Sequence, residues 1–180
     1  RTNIVPYSED FSQSIWTKSN CTISSNQAIS PDGTLNSDKI IVNNGSNLSS
    51  ISNYALYQLT KSASAIQYTY SLFVKEDGLN RINLIAQGSS ISNNASATFS
   101  VSDGLVVTDA ISAGSFSNAS ASVDNYGNGF FRLNLTFTTN TETTLLIRNI
   151  PTDSTLSVGN GTSGIYIWGA HLEQGSCHTS

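Results

Sequence analysis

The sequence predicts an all-β chain, folded as a two-sheet antiparallel β-sandwich. Apolar and polar residues alternate with a period of two along many short segments, which sends successive side chains to opposite faces of a strand. Gly, Asn, Asp and Ser cluster between those segments, where turns require positive φ or side-chain-to-backbone hydrogen bonds. No stretch of roughly ten residues carries the apolar period of an amphipathic helix.

The elements follow in chain order. Residues 8–14 read as a short helical turn, because Ser8 precedes Glu9 and Asp10 at a plausible N-terminus. Strands are expected over 20–24, 37–42 and 54–60, with a loop at 43–53. Segments 67–75 and 81–87 alternate cleanly, and Glu76-Asp77-Gly78-Leu79-Asn80 between them has hairpin chemistry. After a loop at 88–96, segments 97–101 and 104–108 pair about Ser102-Asp103-Gly104. The Ser- and Asn-rich 112–128 reads as loop up to the strand 130–138, and strands 143–149 and 164–173 complete the chain. Evenly spaced short strands with such turns are the pattern of a sandwich.

Composition narrows the class. The 180 residues are 38% hydrophobic and 11% charged, against a usual charged share of about 25%. That length fits one domain, 1–180, with a core of ordinary size. The net charge is −4, and eight Lys+Arg are too few for a nucleic-acid surface or an anionic membrane. No apolar run approaches the roughly 18 residues of a membrane span. The chain opens on Arg1 rather than Met, as expected of a piece of a longer protein.

Alternation also assigns faces. Leu72 and Val74 point to one side of 67–75; Ser71, Phe73 and Lys75 point to the other. Ile82, Leu84 and Ala86 oppose Arg81, Asn83, Ile85 and Gln87. Phe131, Leu133, Leu135 and Phe137 form an apolar row, leaving Phe130, Arg132, Asn134 and Thr136 outward. In 165–173 the reading places Tyr166, Trp168, Ala170 and Leu172 inward, with Ile165, Ile167, Gly169, His171 and Glu173 outward. Two explanations fit the outward rows. Half-solvated antiparallel sheets carry polar residues there in any case. Rings beside amides, carboxylates and guanidinium groups also form a sugar-binding surface, since rings cover C–H faces and polar groups bond hydroxyls.

Catalytic constellations are missing from the sequence pattern. No G-x-S-x-G elbow occurs, and His171 and His178 are the only histidines. Gly159-Asn160-Gly161-Thr162-Ser163-Gly164 has dinucleotide-loop spacing but precedes a strand rather than opening a helix, so it reads as a turn. Glu9-Asp10, Asp32-Gly33 and Asp38 are rich in oxygen without the spacing of a calcium loop. Cys21 and Cys177 are too few for a disulfide scaffold, and their spacing is compatible with a bridge or with two separate thiols.

The start, Arg1-Thr2-Asn3-Ile4-Val5-Pro6-Tyr7-Ser8-Glu9-Asp10-Phe11 with Ile15-Trp16-Thr17-Lys18, resembles a domain recurrent in bacteriophage structural and tail proteins. So do Ser30-Pro31-Asp32-Gly33-Thr34, Asn128-Gly129-Phe130-Phe131-Arg132-Leu133 and, above all, Ile165-Tyr166-Ile167-Trp168-Gly169-Ala170-His171-Leu172-Glu173-Gln174-Gly175. Such domains are similar to carbohydrate-binding modules of the jelly-roll type. The resemblance implies a non-catalytic, virion-borne or extracellular module of a phage structural protein that binds a polysaccharide on a concave sheet face. On that reading Phe73 and Phe130 stack on sugar rings, and Lys75, Asn83, Arg132, Asn134, His171 and Glu173 bond hydroxyls. It further implies a structural Ca2+ near Glu9 and Asp10. Cys21 and Cys177 depart from the family pattern, which favours a disulfide between the ends. The alternative is a decoration or oligomerisation domain of a tail or capsid protein, with no glycan ligand and with Phe73 and Phe130 as anchors in a subunit interface.

Overall fold

The computed structural model describes residues 2–176. They form twelve strands: β1 (Trp16–Ser19), β2 (Cys21–Ile29), β3 (Leu35–Val42), β4 (Tyr54–Thr60), β5 (Gln67–Asp77), β6 (Arg81–Gln87), β7 (Asn94–Ser100), β8 (Leu105–Ala113), β9 (Ser117–Gly127), β10 (Phe130–Thr138), β11 (Thr144–Thr152) and β12 (Gly164–Gln174). The first sheet has the order β1-β4-β11-β6-β7-β8, the second β2-β3-β12-β5-β10-β9. The strand pairs within both are antiparallel. The chain crosses between the sheets from β1 to β2, β3 to β4, β4 to β5, β5 to β6, β8 to β9, β10 to β11 and β11 to β12. This is jelly-roll winding, and the sandwich expected from the sequence is the one observed.

The core fills from the rows that alternation assigns. Tyr68, Tyr70, Leu72 and Val74 of β5 and Phe131, Leu133, Leu135 and Phe137 of β10 meet Ile82, Leu84 and Ala86 of β6 and Ala95, Ala97 and Phe99 of β7. Each large apolar side chain so buried contributes roughly 1.5–3 kcal/mol. One polar tie crosses this core: Tyr70 Oη donates to Asn149 Oδ1 at 2.9 Å, and Asn149 Nδ2 donates to the Ala55 carbonyl at 3.2 Å. Satisfied in this way, the buried amide and phenol carry no desolvation penalty left unmet and fix the two sheets against each other.

Three local expectations are corrected. Residues 8–14 form consecutive turns rather than a helical turn, with Asp10 N–H donating to Tyr7 O and Trp16 N–H to Gln13 O. Part of the 112–128 loop is strand β9, where Ala119, Ala121 and Val123 pack on the core in alternation with Ser and Asp. Small side chains give this strand a weak apolar signal, yet a full ladder with β10 holds it.

The third correction concerns β12. Ile165, Ile167, Ala170 and Leu172 are in the core, so Tyr166 and Trp168 join His171 and Glu173 on the outer face. Trp168 pairs with Phe73 but His171 pairs with Ser71, leaving one extra residue in β12. Such a bulge shifts the alternation by one position. Gly169 supplies it, with φ of 61°, and a β-carbon there would lie 3.0 Å from Phe73 Cδ2. Beyond the bulge, β12 no longer pairs with β3, and the N-terminal segment takes over. Ile4 N–H donates to Leu172 O, Leu172 N–H to Asn3 Oδ1 and Ala170 N–H to Ser8 O. Gly169→Ala is expected to lower unfolding stability by about 1–3 kcal/mol, read as a lower urea midpoint; an unchanged midpoint would show that the bulge accepts a side chain.

Candidate functional site

The ladder of the second sheet sets outer-face residues in rows. Asp124, Arg132, Phe73 and Trp168 lie side by side on β9, β10, β5 and β12. The next row is Ser122, Asn134, Ser71 and His171, and the one after it Ser120, Thr136, Thr69 and Glu173. The centre of this face is not solvated. Arg132 is 3% exposed, Asn134 3% and Glu173 0%. Buried polar groups on this scale must bond to one another. Arg132 Nε and Nη2 donate to Ser71 Oγ at 3.3 and 3.1 Å, Asn134 Nδ2 to Asp124 Oδ2 at 3.0 Å, and Thr69 Oγ1 to the Gly175 carbonyl at 2.8 Å.

Above this polar floor stands an aromatic cluster. The Phe73 ring meets Tyr126 edge-on at 4.7 Å and Trp168 at 5.2 Å, and the Arg132 guanidinium lies 5.3 Å from its centroid. Tyr126, Phe73 and Trp168 wall a hollow of about 370 Å³ that Arg132 and His171 also line. Its far rim comes from Asn3 and Glu9 of the N-terminal segment and from Pro31 and Asp32 of the β2–β3 turn. Trp168 Nε1 is closed off from solvent and has no hydrogen-bond acceptor among the described residues. Asp32 accepts from Ser30 Oγ at 2.6 Å and from Thr34 Oγ1 and N at 2.7 and 2.8 Å. The Ser30 and Thr34 bonds hold its carboxyl well below the ordinary 3.8, at about 2.

The predicted site residues therefore divide. Phe73, Arg132 and His171 line the hollow together. Asn134 and Glu173 lie under the same face, buried. Phe130 is 2% exposed, with the Lys75 ammonium 5.7 Å from its centroid, so this pair packs beside the hollow and offers no open ring for stacking. Near-complete burial within the chain also leaves Phe73 and Phe130 little surface to anchor a subunit interface. Asn83 is on β6 of the first sheet, across the sandwich from the others. The alternation gave Asn83 its outward direction correctly but carries no information on which sheet a strand joins. The alternation alone does not mark Tyr126 or Trp168 as site residues. Gly169 within a strand pattern was the available signal for Trp168, since an isolated strand glycine marks a bulge.

The N-terminal acids do not form a cation cage. Asp10 Oδ1 accepts from Ser12 N and Oγ, and Oδ2 from Gln13 Nε2 at 2.7 Å. Those bonds, with Lys18 nearby, hold its carboxyl below the usual range. The turn carbonyls of Phe11, Ser12 and Gln13 accept from Lys18 Nζ at 3.3, 3.2 and 3.1 Å. Glu9 Oε2 accepts from Asn36 Nδ2 at 3.3 Å. Among the described residues no group of three His, Cys, Asp or Glu is placed to hold a metal ion. The Lys18 ammonium thus takes up the carbonyl oxygens of this turn. Cys21 is a free, buried thiol whose burial pushes its pKa up to about 12, and Cys177 lies outside the described residues.

No family model and no curated protein matches the chain. Solved structures similar to it include the enzymatically active domain of tailspike protein 4 of bacteriophage CBA120, at 14% identity and a TM-score of 0.51 over 96% of this chain and 21% of that one. They also include the CBM22-1–GH10 modules of Clostridium thermocellum endo-1,4-beta-D-xylanase 10B, complexed with xylohexaose, at 13% identity and a TM-score of 0.51 over 97% of this chain and 29% of that one. At these identities the likeness shows the fold. The chain spans about a fifth of the first and under a third of the second.

Two outcomes are expected. A chelator leaves the thermal midpoint unchanged, whereas Lys18→Ala lowers it; a midpoint that falls with EDTA would restore the metal. Asp32 has a folded pKa of about 2 against 3.8 unfolded, so its contribution to stability is complete above pH 3.8 and is lost as pH falls through about 2. Acid titration of Asp32→Asn beside the parent chain should therefore show a shallower loss of stability in that window.

Proposed function

We propose that this chain is a non-catalytic carbohydrate-binding module, carried by a phage structural protein, that takes a polysaccharide into the hollow beside Phe73. The observation that carries the reading is the aromatic wall of Tyr126, Phe73 and Trp168 set against the polar side chains of Arg132 and His171 in a space of about 370 Å³. Sugar C–H faces pack on rings, and hydroxyls complement a guanidinium, an imidazole and an indole N–H that lacks an acceptor. The likeness in fold to a phage tailspike domain and to xylanase modules complexed with xylohexaose supports the carbohydrate-binding part of this reading.

Arg132 holds the site rather than reaching freely into solvent. Its guanidinium is pinned between Ser71 and Phe73, which fixes the ring that Tyr126 and Trp168 lean on. The Asp32 carboxylate at the rim favours binding over hydrolysis. Glycoside cleavage needs one acid held protonated by a raised pKa, whereas Asp32 is pushed the other way. One shallow site binds weakly, and repeated display on a particle compensates.

A glycan-array screen with the parent chain and Trp168→Ala tests this. The parent chain is expected to select one polysaccharide class. Trp168→Ala is expected to lose at least about tenfold in affinity, roughly 1.4 kcal/mol, with its circular dichroism unchanged. A blank array with folded protein, or equal binding by the variant, would overturn the reading.

The structural alternative rests on a separate observation. Edge strand β8 exposes Leu105 by 58%, Val107 by 40% and Ile111 by 56%. Apolar residues on an unpaired edge invite a further chain. Light scattering distinguishes the two: a stable oligomer abolished by Val107→Lys would favour assembly, and a monomer would remove it.

A further inference from the structure

The outer face of the first sheet carries a groove of about 280 Å³ that shares no lining residue with the hollow beside Phe73. The ladder places Ile150, Asn83, Thr98 and Thr108 in a row across β11, β6, β7 and β8. Arg81 stands two residues from Asn83 on the same face of β6, about 7 Å along the strand. The loop at 48–51 closes one side.

Two polar groups in this groove are open to a ligand, one buried and one half-exposed. Asn83 Oδ1 is shut off from solvent and accepts no hydrogen bond. The Arg81 guanidinium is half-exposed and bonds to no described side chain or carbonyl, while those of the other described arginines are both engaged. Arg132 bonds to Ser71, and Arg148 donates to the Ile51 carbonyl at 3.2 Å and lies 4.8 Å from the Tyr54 centroid. A buried acceptor without a donor thus stands one sugar ring's reach from a half-exposed guanidinium. Leaving Asn83 Oδ1 buried and unbonded has a cost that a bound ligand relieves.

The chemistry of the groove indicates what fits. A sugar hydroxyl both donates and accepts, so neighbouring hydroxyls of one ring serve Asn83 Oδ1 and the Arg81 guanidinium together. Asp153 at the edge accepts from the backbone N–H groups of Asn80, Thr155 and Leu156 at 3.0, 2.9 and 2.8 Å. Burial opposes its charge, but these bonds outweigh burial and keep the carboxylate ionised. Its charge offsets that of Arg81 and removes any preference for an anion. No aromatic ring lines the groove; Ile51, Val107 and Ile150 supply the apolar contact.

We propose that this groove is a second saccharide site, taking a neutral sugar held edge-on by Asn83 and Arg81 rather than stacked on a ring. It stands on its own observations and does not depend on the hollow binding glycan. With both sites filled, one module would bridge two polysaccharide strands from opposite faces.

Proton–nitrogen NMR titration of the labelled chain tests it, with glucose, galactose, mannose and xylose each raised to high concentration. At least one sugar is expected to shift the Asn83 side-chain amide and the Thr98 and Thr108 backbone amides along a saturating curve. Asn83→Ala and Arg81→Gln should each abolish the Thr98 and Thr108 shifts and leave any response of the Trp168 indole intact. No movement of these resonances with any of the four sugars overturns the proposal, as does undiminished movement in both variants. A stronger response to glucuronate than to glucose overturns the selection of neutral sugars. The Trp168 indole reports the hollow alone, so failure of either site is read separately.

Discussion

A single left-handed residue in β12 controls the arrangement of the candidate site. At φ of 61°, Gly169 inserts one extra position between Trp168 and His171. Before it, isoleucines enter the core and Tyr166 and Trp168 face outward. After it, Ala170 and Leu172 enter the core while His171 and Glu173 face outward. Without the bulge, one half of the strand would bury its polar row. The same glycine lets Phe73 approach the backbone, and Phe73 is the ring on which Tyr126, Trp168 and Arg132 converge. The edge of β12 freed beyond the bulge accepts the N-terminal segment, which brings Asn3 and Glu9 to the rim.

The central strands β5 and β10 of the second sheet are buried on both faces, one apolar and one polar. The outer face of that sheet holds Arg132, Asn134 and Glu173 almost entirely out of water. Charged groups in that setting are held by fixed partners, which gives precise geometry at the expense of adaptability. The result is a rigid polar floor under an aromatic wall. Such preorganisation suits recognition of a ligand with a fixed pattern of hydroxyls.

The N-terminal turn shows how a site can keep its shape by other means. The turn carbonyls of residues 11–13 converge on the Lys18 ammonium, and Asp10 closes on Ser12 and Gln13. An internal cation does there what a bound ion does in an oxygen-lined loop. The turn stays ordered next to the rim, and its order is covalently built into the chain.

Period-two alternation in β5, β6 and β10 was enough to determine strands, their core rows and the sandwich class, because burial of one face requires that pattern. It also determined that Phe73 and Arg132 each point away from the core, and the pairing of β5 with β10 then set them side by side. Three matters were decided by the tertiary structure alone. Which sheet a strand joins follows from long-range pairing, and so Asn83 came to the opposite face. Whether an outward residue meets water depends on what lies over it, and so Phe130 and Glu173 are buried. Whether a period continues unbroken depends on backbone conformation, and so Trp168 reversed direction at Gly169. Strand β9 was hidden for a related reason: Ala119 and Ala121 are too small to mark a core row until the neighbouring strand supplies the ladder. Local sequence fixes which way a side chain points from its own backbone; only the assembled sheets fix what it points at.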